Sequence, residues 1–598
     1  MANVRRDVNR AHPPPPARAF EGQARAWAVA ARAHLTPHLP FLLGVLLATV
    51  LAALPTFQPK MMSGHDAEMY LPRNVEFYAG LSAGQLFPRW APDFDYGYGE
   101  PFFSFSPPVI YYLSAMFHAL GFGFVEAANH AAFALLLLGA LGMYALAAEF
   151  FGPLGGLVSA VAYVFAPYVL VALYVRGALS DFSAFAFIPF VFWGLYRFTR
   201  RGRFGGLSVG AGALALLLLS SNPVALITLP AVAALPCLVA WAMRDWRPLA
   251  RGVACVALGL GLAAFFWAPA LLERDFVQVS RLLEGYFQYG DHFVYPQQLV
   301  SSPWGYGLSV AGPDDGMSFA IGPVHLLLAG AAVLLVWPLR RVSRQAQLGV
   351  AFFLGVLVVA AVLSTGLSAA VWERVALLQY LEFPWRFLSL VAVATAFLCG
   401  LPLLLIPRER RWLRAGAAAA LIAALCLLGF PHARPEAFLD VTAADYAPAA
   451  MVAQGVRVNS RREFMPVWVS QRPTEPAEAE AVLLTGEGTL TPLQRSAPDL
   501  AWQMTLTTPA RVQVNTFYFP GWTLYVDGAR RPIEFDNREG VMEFTLERGT
   551  HDVGLVFEDT PVRRGSALVS LLSALMLLGW LLGWTRRMSA PMAARRRR

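Results

Sequence analysis

The chain has 598 residues, 57% of them hydrophobic and 14% charged, with a net charge of +8 and a mean hydropathy of +0.50. That balance excludes a soluble globular protein of this length, because apolar runs long enough to cross a bilayer (about 20 residues) recur along most of it. The positive charge is almost all arginine, Lys60 being the only lysine. It gathers at the ends of apolar runs, which is a topology signal and not a nucleic-acid patch.

In chain order, residues 1–38 carry Arg5, Arg6, Arg10, Arg18, Arg25, Arg32 and the Pro13–Pro16 run. Such a composition predicts a disordered basic arm on the cytoplasmic side. The apolar segment near 40–57 is long for a signal-peptide core and has no convincing cleavage site, so it is expected to be a retained anchor. Further runs lie at about 129–150, 154–175, 181–199, 206–221, 223–243, 252–271, 320–338, 347–369, 385–406, 413–431 and 565–585. The expected class is therefore a polytopic α-helical membrane protein of about twelve spans.

The positive-inside rule tests this threading. With the N-terminus inside, alternate loops hold Arg200–Arg201–Arg203, Arg244–Arg247–Arg251, Arg340–Arg341–Arg344 and Arg408–Arg410–Arg411–Arg414. The tail 586–598, with Arg586, Arg587 and Arg595 to Arg598, also falls inside; only 151–153 lacks arginine. The expected location is the plasma (inner) membrane, both termini cytoplasmic. The long loops 58–128, 272–319 and 370–384 then lie outside. Residues 108–120 are too short to span and would invert every later loop, so they read as an interfacial helix, with a second over 67–83. Segment 432–564 differs in kind. Arg511 to Val514 and Thr523 to Val526 alternate as strands, Asp527-Gly528 is a hairpin turn, and Val541–Leu546 pairs with Val553–Phe557 around Arg548-Gly549. A β-sandwich outside the membrane is expected there, tethered by the span 565–585. The transmembrane domain proper is 39–431.

The four cysteines, Cys237, Cys255, Cys399 and Cys426, all fall in apolar runs, with neither metal-ligand spacing nor a disulfide framework. Span centres hold almost no charge. The remaining acids and bases crowd onto external loops and outer span ends, where a single charge is ordinarily a solvated one. Asp66 has the strongest case for chemistry. It follows the first span in Gly64-His65-Asp66, and a carboxylate at the membrane–water boundary is partly desolvated, as a general base should be. His65 is positioned to orient it or to share in catalysis. Asp93 and Asp95, among glycines and aromatics, suit sugar hydroxyls or a divalent cation such as magnesium or manganese. Arg176 and Asp181 flank one outer gap and Arg386 starts another span. Arginine there can grip a lipid phosphate bidentately or snorkel to headgroups. The aromatic stretches 87–112 and 285–306 suit stacking on sugar faces or an interfacial belt.

These residues resemble a known group. An acidic residue after the first span, membrane-lying helices in the first outer loop and a returning second span match the order seen in the GT-C superfamily of polyprenyl-phosphate-sugar-dependent glycosyltransferases. A closer resemblance, over about 60–560, is to the bacterial YfhO-like and 6-pyruvoyl-tetrahydropterin synthase-related membrane proteins. It rests on Gly64-His65-Asp66, Phe87-Pro88-Arg89-Trp90, Gly97-Tyr98-Gly99-Glu100-Pro101, Arg176 to Asp181, Phe265 to Ala270, Ser302-Pro303-Trp304-Gly305-Tyr306-Gly307, Phe383-Pro384-Trp385-Arg386 and Phe519-Pro520-Gly521-Trp522. Two departures stand out: Asp181 where the family often has Glu, and Ser221-Asn222 where it often has His-Asn. No His-rich zinc triad accompanies the pterin-synthase label.

The resemblance implies transfer of a sugar from a polyprenyl-phosphate donor to an extracytoplasmic glycan or lipid acceptor. Asp66 would be the base, with His65 beside it, and Arg176 or Arg386 would stabilise the departing phosphate. Arg89, Asp93, Asp95, Asp181 and Trp304 would bind substrate. The rivals are a transporter or flippase for lipid-linked precursors and a non-catalytic scaffold for envelope assembly. Transporters place charge at the bilayer midplane, often in repeated halves, and this sequence has neither. Donor sugar, acceptor, metal need and oligomeric state are not legible at this level.

Overall fold

The computed structural model describes residues 36–456, 458, 462–493 and 497–595. The predicted arm therefore lies outside the described residues except for its last three. The helices that matter here are α1 (Leu39–Ala52), α2 (Ala67–Ser82), α3 (Val109–Ala119), α4 (Phe124–Val164), α5 (Leu179–Arg201), α6 (Phe204–Leu218), α7 (Asn222–Met243), α8 (Arg247–Leu262), α9 (Ala264–Leu272), α10 (Pro323–Leu335), α11 (Arg344–Ser364), α12 (Pro384–Leu405), α13 (Arg411–His432) and α14 (Pro561–Arg595). This is a multi-pass membrane protein.

Among the described residues, seven helices are long and apolar enough to cross a membrane, or eight if α8 and α9, bent by 76°, form one broken span. That is fewer than the twelve expected. The apolar runs at 129–150 and 154–175 belong largely to one element, α4, broken where Gly152 takes φ +79° and Pro153 removes an amide donor. The runs at 40–57, 206–221 and 320–338 yield α1, α6 and α10, which are shorter than a span needs. The segments 67–83 and 108–120 form helices, α2 and α3.

Burial separates centre from rim. In α5 and α12, 83% of the apolar window is buried inside the protein, against 17% in α13 and none in α14. The central pair carries charge at its ends and none in its middle. Asp181 opens α5 and Arg386 opens α12, while Arg200, Arg201 and Arg408 mark the far ends. The bundle thus has an arginine-rich end and an opposite end where the long loops gather.

At that second end stands a β-sandwich. Strands β1 (Met61–Met62) and β2 (Phe438–Leu439) pair apart from it and tie the first long loop to the segment after α13. Its two antiparallel sheets are β4-β5-β10-β7-β8 and β3-β6-β9, from β3 (Ala481–Thr485), β4 (Gly488–Pro492), β5 (Leu500–Leu506), β6 (Ala510–Phe517), β7 (Trp522–Val526), β8 (Ala529–Arg531), β9 (Val541–Leu546) and β10 (Gly549–Phe557). The Asp527-Gly528 turn joins β7 to β8 with φ of +51° and +78°, as a tight hairpin requires. The predicted pairing of 541–546 with 553–557 is corrected. β9 pairs β6 in one sheet and β10 pairs β5 and β7 in the other. Buried Met542 and Phe544 of β9 face Val553 and Leu555 of β10 across the core, so the Glu547-Arg548 link is a corner between sheets. The β structure also begins later than 432. Residues 438–456 pack on the first loop and reach the cavity described below.

The sandwich does not hang free. Trp90, Tyr98 and Phe105 of the first loop enter its core, and the Phe517 amide donates to the Tyr98 carbonyl at 2.9 Å. Arg563, at the root of α14, is fully buried and donates to Glu273 at 2.9 Å and to the Pro520 carbonyl at 3.0 Å. It lies between the rings of Phe519 and Phe557.

Candidate functional site

Two glycines build the site. A Cβ on Gly64 would meet the Gly177 amide nitrogen at 2.9 Å, and Gly177 itself sits at φ +59°. Because neither has a side chain, the chain before α2 lies directly against the chain before α5. His65 N–H donates to the Val175 carbonyl (3.2 Å) and Asp66 N–H to the Arg176 carbonyl (2.9 Å). Arg176 follows a π-helical turn, Val171–Val175, an irregularity frequent at functional sites. His65, Asp66 and Arg176, distant in sequence, are thereby held side by side by backbone bonds.

They line a cavity of about 770 Å³ with Glu68, Tyr286, Ser309, Met317, Glu382, Trp385, Arg386, Tyr446 and Gln454. Asp66 occupies the N-cap position of α2 without making the side-chain cap bond, so its carboxylate is free toward the cavity. Burial, with the Arg176 charge, lowers the His65 pKa and keeps the ring neutral at pH 7. Its Nε2 lies 3.0 Å from the Tyr306 carbonyl. A carbonyl only accepts, so Nε2 bears the proton and Nδ1 has the lone pair.

The two arginines share one acid. Asp181 Oδ2 is 2.9 Å from Arg176 Nη2 and 3.4 Å from Arg386 Nε, while its Oδ1 accepts from Ser221 at 2.7 Å. Arg176 lies over the Trp385 ring at 4.6 Å, and Arg386 over Phe383 at 5.1 Å. Arg386 also reaches the Leu381 carbonyl at 2.5 Å and Glu382 at 3.3 Å. Nη1 of Arg176 and Nε of Arg386 are buried and make no hydrogen bond, although the latter faces Asp181 in the ion pair. Two guanidinium cations lining a water-sized space suit an anion. Glu382 adds a titratable group: burial pushes its carboxyl up to about 7 although Arg386 pulls the other way. Its backbone sits at φ +62°, a conformation that costs a non-glycine residue energy and is concentrated at functional sites.

Of the residues singled out in the sequence, His65, Asp66, Arg176 and Arg386 line this cavity, and Asp181 stands directly behind the arginines. The others are elsewhere. Asp95 pairs with Arg472 at 2.9 Å, and Arg89 pairs with Asp559 and donates to the Phe265 carbonyl. Both are seam contacts between the first loop, α9 and the sandwich. Asp93 accompanies Glu76, whose carboxylate accepts from the Asp93 amide at 3.2 Å; burial holds both carboxyls above their ordinary range. Trp304 stacks on His432 at 4.4 Å and lines a separate, largely apolar recess. The Asp-x-Asp spacing does not assemble a cation site, since Asp95 is neutralised by arginine. No group of three or more His, Cys, Asp or Glu among the described residues could hold a metal. Glu382 and Glu68 are not among the residues that the sequence offered for the site, although Glu382 lies in the same short segment as Arg386, and Ser221 figured there only as a departure from the family pattern.

The sequence profile of the family described as "6-pyruvoyl-tetrahydropterin synthase related domain; membrane protein" matches residues 103–432, more than half of the chain. The chain belongs to that family. The matched span holds Arg176, Asp181, Glu382 and Arg386. No curated protein matches. Among solved structures, the arabinofuranosyltransferase AftD from Mycobacteria is similar at 16% identity and a TM-score of 0.40, over 68% of this chain and 28% of that one. ArnT from Cupriavidus metallidurans, bound to undecaprenyl phosphate, gives 16% and 0.39, over 64% of each chain. An oligosaccharyltransferase from Archaeoglobus fulgidus, tethered to an acceptor peptide, gives 14% and 0.41, over 67% of this chain and 56% of that one. The chain spans less than two thirds of the length of each.

Proposed function

We propose that this protein transfers a sugar from a polyprenyl-phosphate donor to a glycan or lipid acceptor on the extracytoplasmic face. The observation that carries the reading is the pair of arginines, Arg176 and Arg386, lining the same cavity as an uncapped carboxylate. Two guanidiniums hold the phosphate that links sugar to lipid, and Asp66 stands across from it.

In the step envisaged, the acceptor hydroxyl oxygen forms a bond to the anomeric carbon as the bond from that carbon to the phosphate oxygen breaks. The hydroxyl proton passes to Asp66, and the electron pair leaves with the polyprenyl phosphate, whose charge Arg176 and Arg386 stabilise. Neutral His65, locked by Tyr306, presents Nδ1 as an acceptor beside Asp66 and fixes its surroundings. Asp181 keeps the two arginines apart and aimed. The arginine-rich loops at the opposite end of the bundle support an extracytoplasmic cavity, and a membrane-borne donor explains why the site sits at span ends.

Cells carrying Asp66→Asn, compared with wild type and a deletion strain for lipid-linked sugars and surface glycans, test the assignment. Accumulated donor and missing glycan, with normal protein levels, are expected. Wild-type glycan in the mutant overturns Asp66 as the base; altered uptake or lipid asymmetry in the deletion strain, with no glycan change, overturns transfer itself.

A further inference from the structure

A second recess, about 240 Å³, opens where the first loop meets the sandwich. Its walls include Trp90, Asp93 and Tyr96 of the loop, Ala479 and Glu480 before β3, and Asn515, Thr516 and Trp522 of the sandwich. Trp522 is 5% exposed, and its indole N–H is buried without an acceptor. The Thr516 hydroxyl is also unbonded, unlike that of Thr523 on the neighbouring strand, which is 3.2 Å from Arg530. Asn515 is held rigidly, donating to the Ala479 carbonyl at 2.7 Å and accepting from Gln513 at 2.7 Å. The recess thus combines aromatic edges, a fixed amide, a free hydroxyl and an unmet N–H, with a carboxyl (Glu480) at its mouth.

Unlike the main cavity, where Arg176 and Arg386 accompany the acids, this recess has no cation to balance its own. Its ionisable lining is Asp93 and Glu480 alone, with no cation among the lining residues. A phosphate or other anion is therefore disfavoured here, while hydroxyl-rich neutral groups find both donors and acceptors. The two spaces are close neighbours. The short helix Pro448–Gln454 and Gly455 stand between them: Gln454 and Gly455 line the main cavity, Val452 lines the recess. Gly455, at φ +56°, lies so close to the Tyr96 ring that a Cβ there would overlap it, and Tyr96 is itself a wall of the recess.

We propose that this recess is a subsite for an uncharged sugar unit of the acceptor, one or more units away from the hydroxyl that reacts at Asp66. The inference rests on the transferase reading for its role, but the binding itself can be measured without turnover. It implies that the acceptor is a neutral glycan and not a phosphate-rich polymer.

The test uses the full-length protein in lipid nanodiscs, with tryptophan fluorescence and calorimetry as readouts. The probes are short neutral oligomers of glucose, mannose, galactose and arabinose, and poly(glycerol phosphate) as the anionic counterpart. Ala479→Trp fills the mouth from an exposed position, and Thr516→Val removes one hydroxyl at constant shape. Expected are binding of at least one neutral oligomer and a roughly tenfold loss in Ala479→Trp, with a smaller one in Thr516→Val, as one or two lost contacts imply. Asp66→Asn should bind unchanged. No neutral oligomer binding at millimolar concentration, binding insensitive to Ala479→Trp, or a preference for poly(glycerol phosphate) each overturns the subsite. Saccharide binding that persists while Asp66→Asn retains transfer refutes the base assignment alone, so the two failures are distinguishable.

Discussion

Buried arginine–carboxylate pairs occur in two regions of this molecule and do different work. At the seam under the sandwich, Arg563 meets Glu273 with both side chains closed off (0% and 3% exposed). Thr560 donates to the same glutamate at 2.5 Å, and aromatic rings cover the guanidinium faces. At the cavity, Arg176 and Arg386 share Asp181 but front about 770 Å³ of space. Both regions leave a guanidinium nitrogen unmet. The difference is room: the seam guanidinium is wholly enclosed, whereas the other two line an open cavity. The same residue types are adhesive in one place and receptive in the other, and only their surroundings tell which.

Substitutions in each region put this contrast at risk, beginning with the largest effect. Asp66→Asn should lower transfer by about a hundredfold to ten-thousandfold without changing the thermal midpoint in detergent; an active mutant would remove the cavity's claim to chemistry. Arg563→Met should do the reverse. Stranding the buried Glu273 charge costs about 3–5 kcal/mol, read as a lower midpoint, while the rate per folded molecule holds. Arg386→Gln should reduce transfer by about a hundred- to a thousandfold and weaken retention of polyprenyl phosphate in a lipid-binding assay. If Arg386→Gln instead cost only stability, the two regions would be alike after all.

A smaller effect concerns pH. The Glu382 carboxyl is raised by burial from 4.5 to about 7. A raised pKa contributes stability that is fully present below pH 4.5 and is lost as pH climbs through about 7. Stability and donor affinity should both fall across that window as ionised Glu382 competes for Arg386, and Glu382→Gln should flatten the profile. The smallest effect is expected at the exposed Lys60–Asp440 pair, 52% and 80% exposed. Lys60→Ala should leave midpoint and rate unmeasurably changed.

Much of the architecture was legible because it rests on local physics. Apolar run length marks a span, arginine marks one end of it, and a period of two with Asp527-Gly528 marks a hairpin. Legibility failed where a run's length and its helix's length diverge, as at α6, where Ser220-Ser221-Asn222-Pro223 stops the helix early. It failed again at β9 and β10, because two strands joined by a short link can either pair or cross a sandwich, and core packing decides. In the first loop, the sequence offered both Asp66 and Asp95 as site residues. Asp95 found Arg472, nearly four hundred residues on, and Asp66 found a cavity.

What the sequence determined by itself, then, is the membrane class, the segregation of charge to span ends and the β character of the later segment, since hydropathy and periodicity act over a few neighbouring residues. Only the tertiary structure decided which charges converge. The meeting of Asp66 with Arg176 and Arg386 depends on Gly64 and Gly177 lacking side chains on two strands of chain more than a hundred residues apart. A contact of that range is fixed by packing, and no window along the sequence contains it.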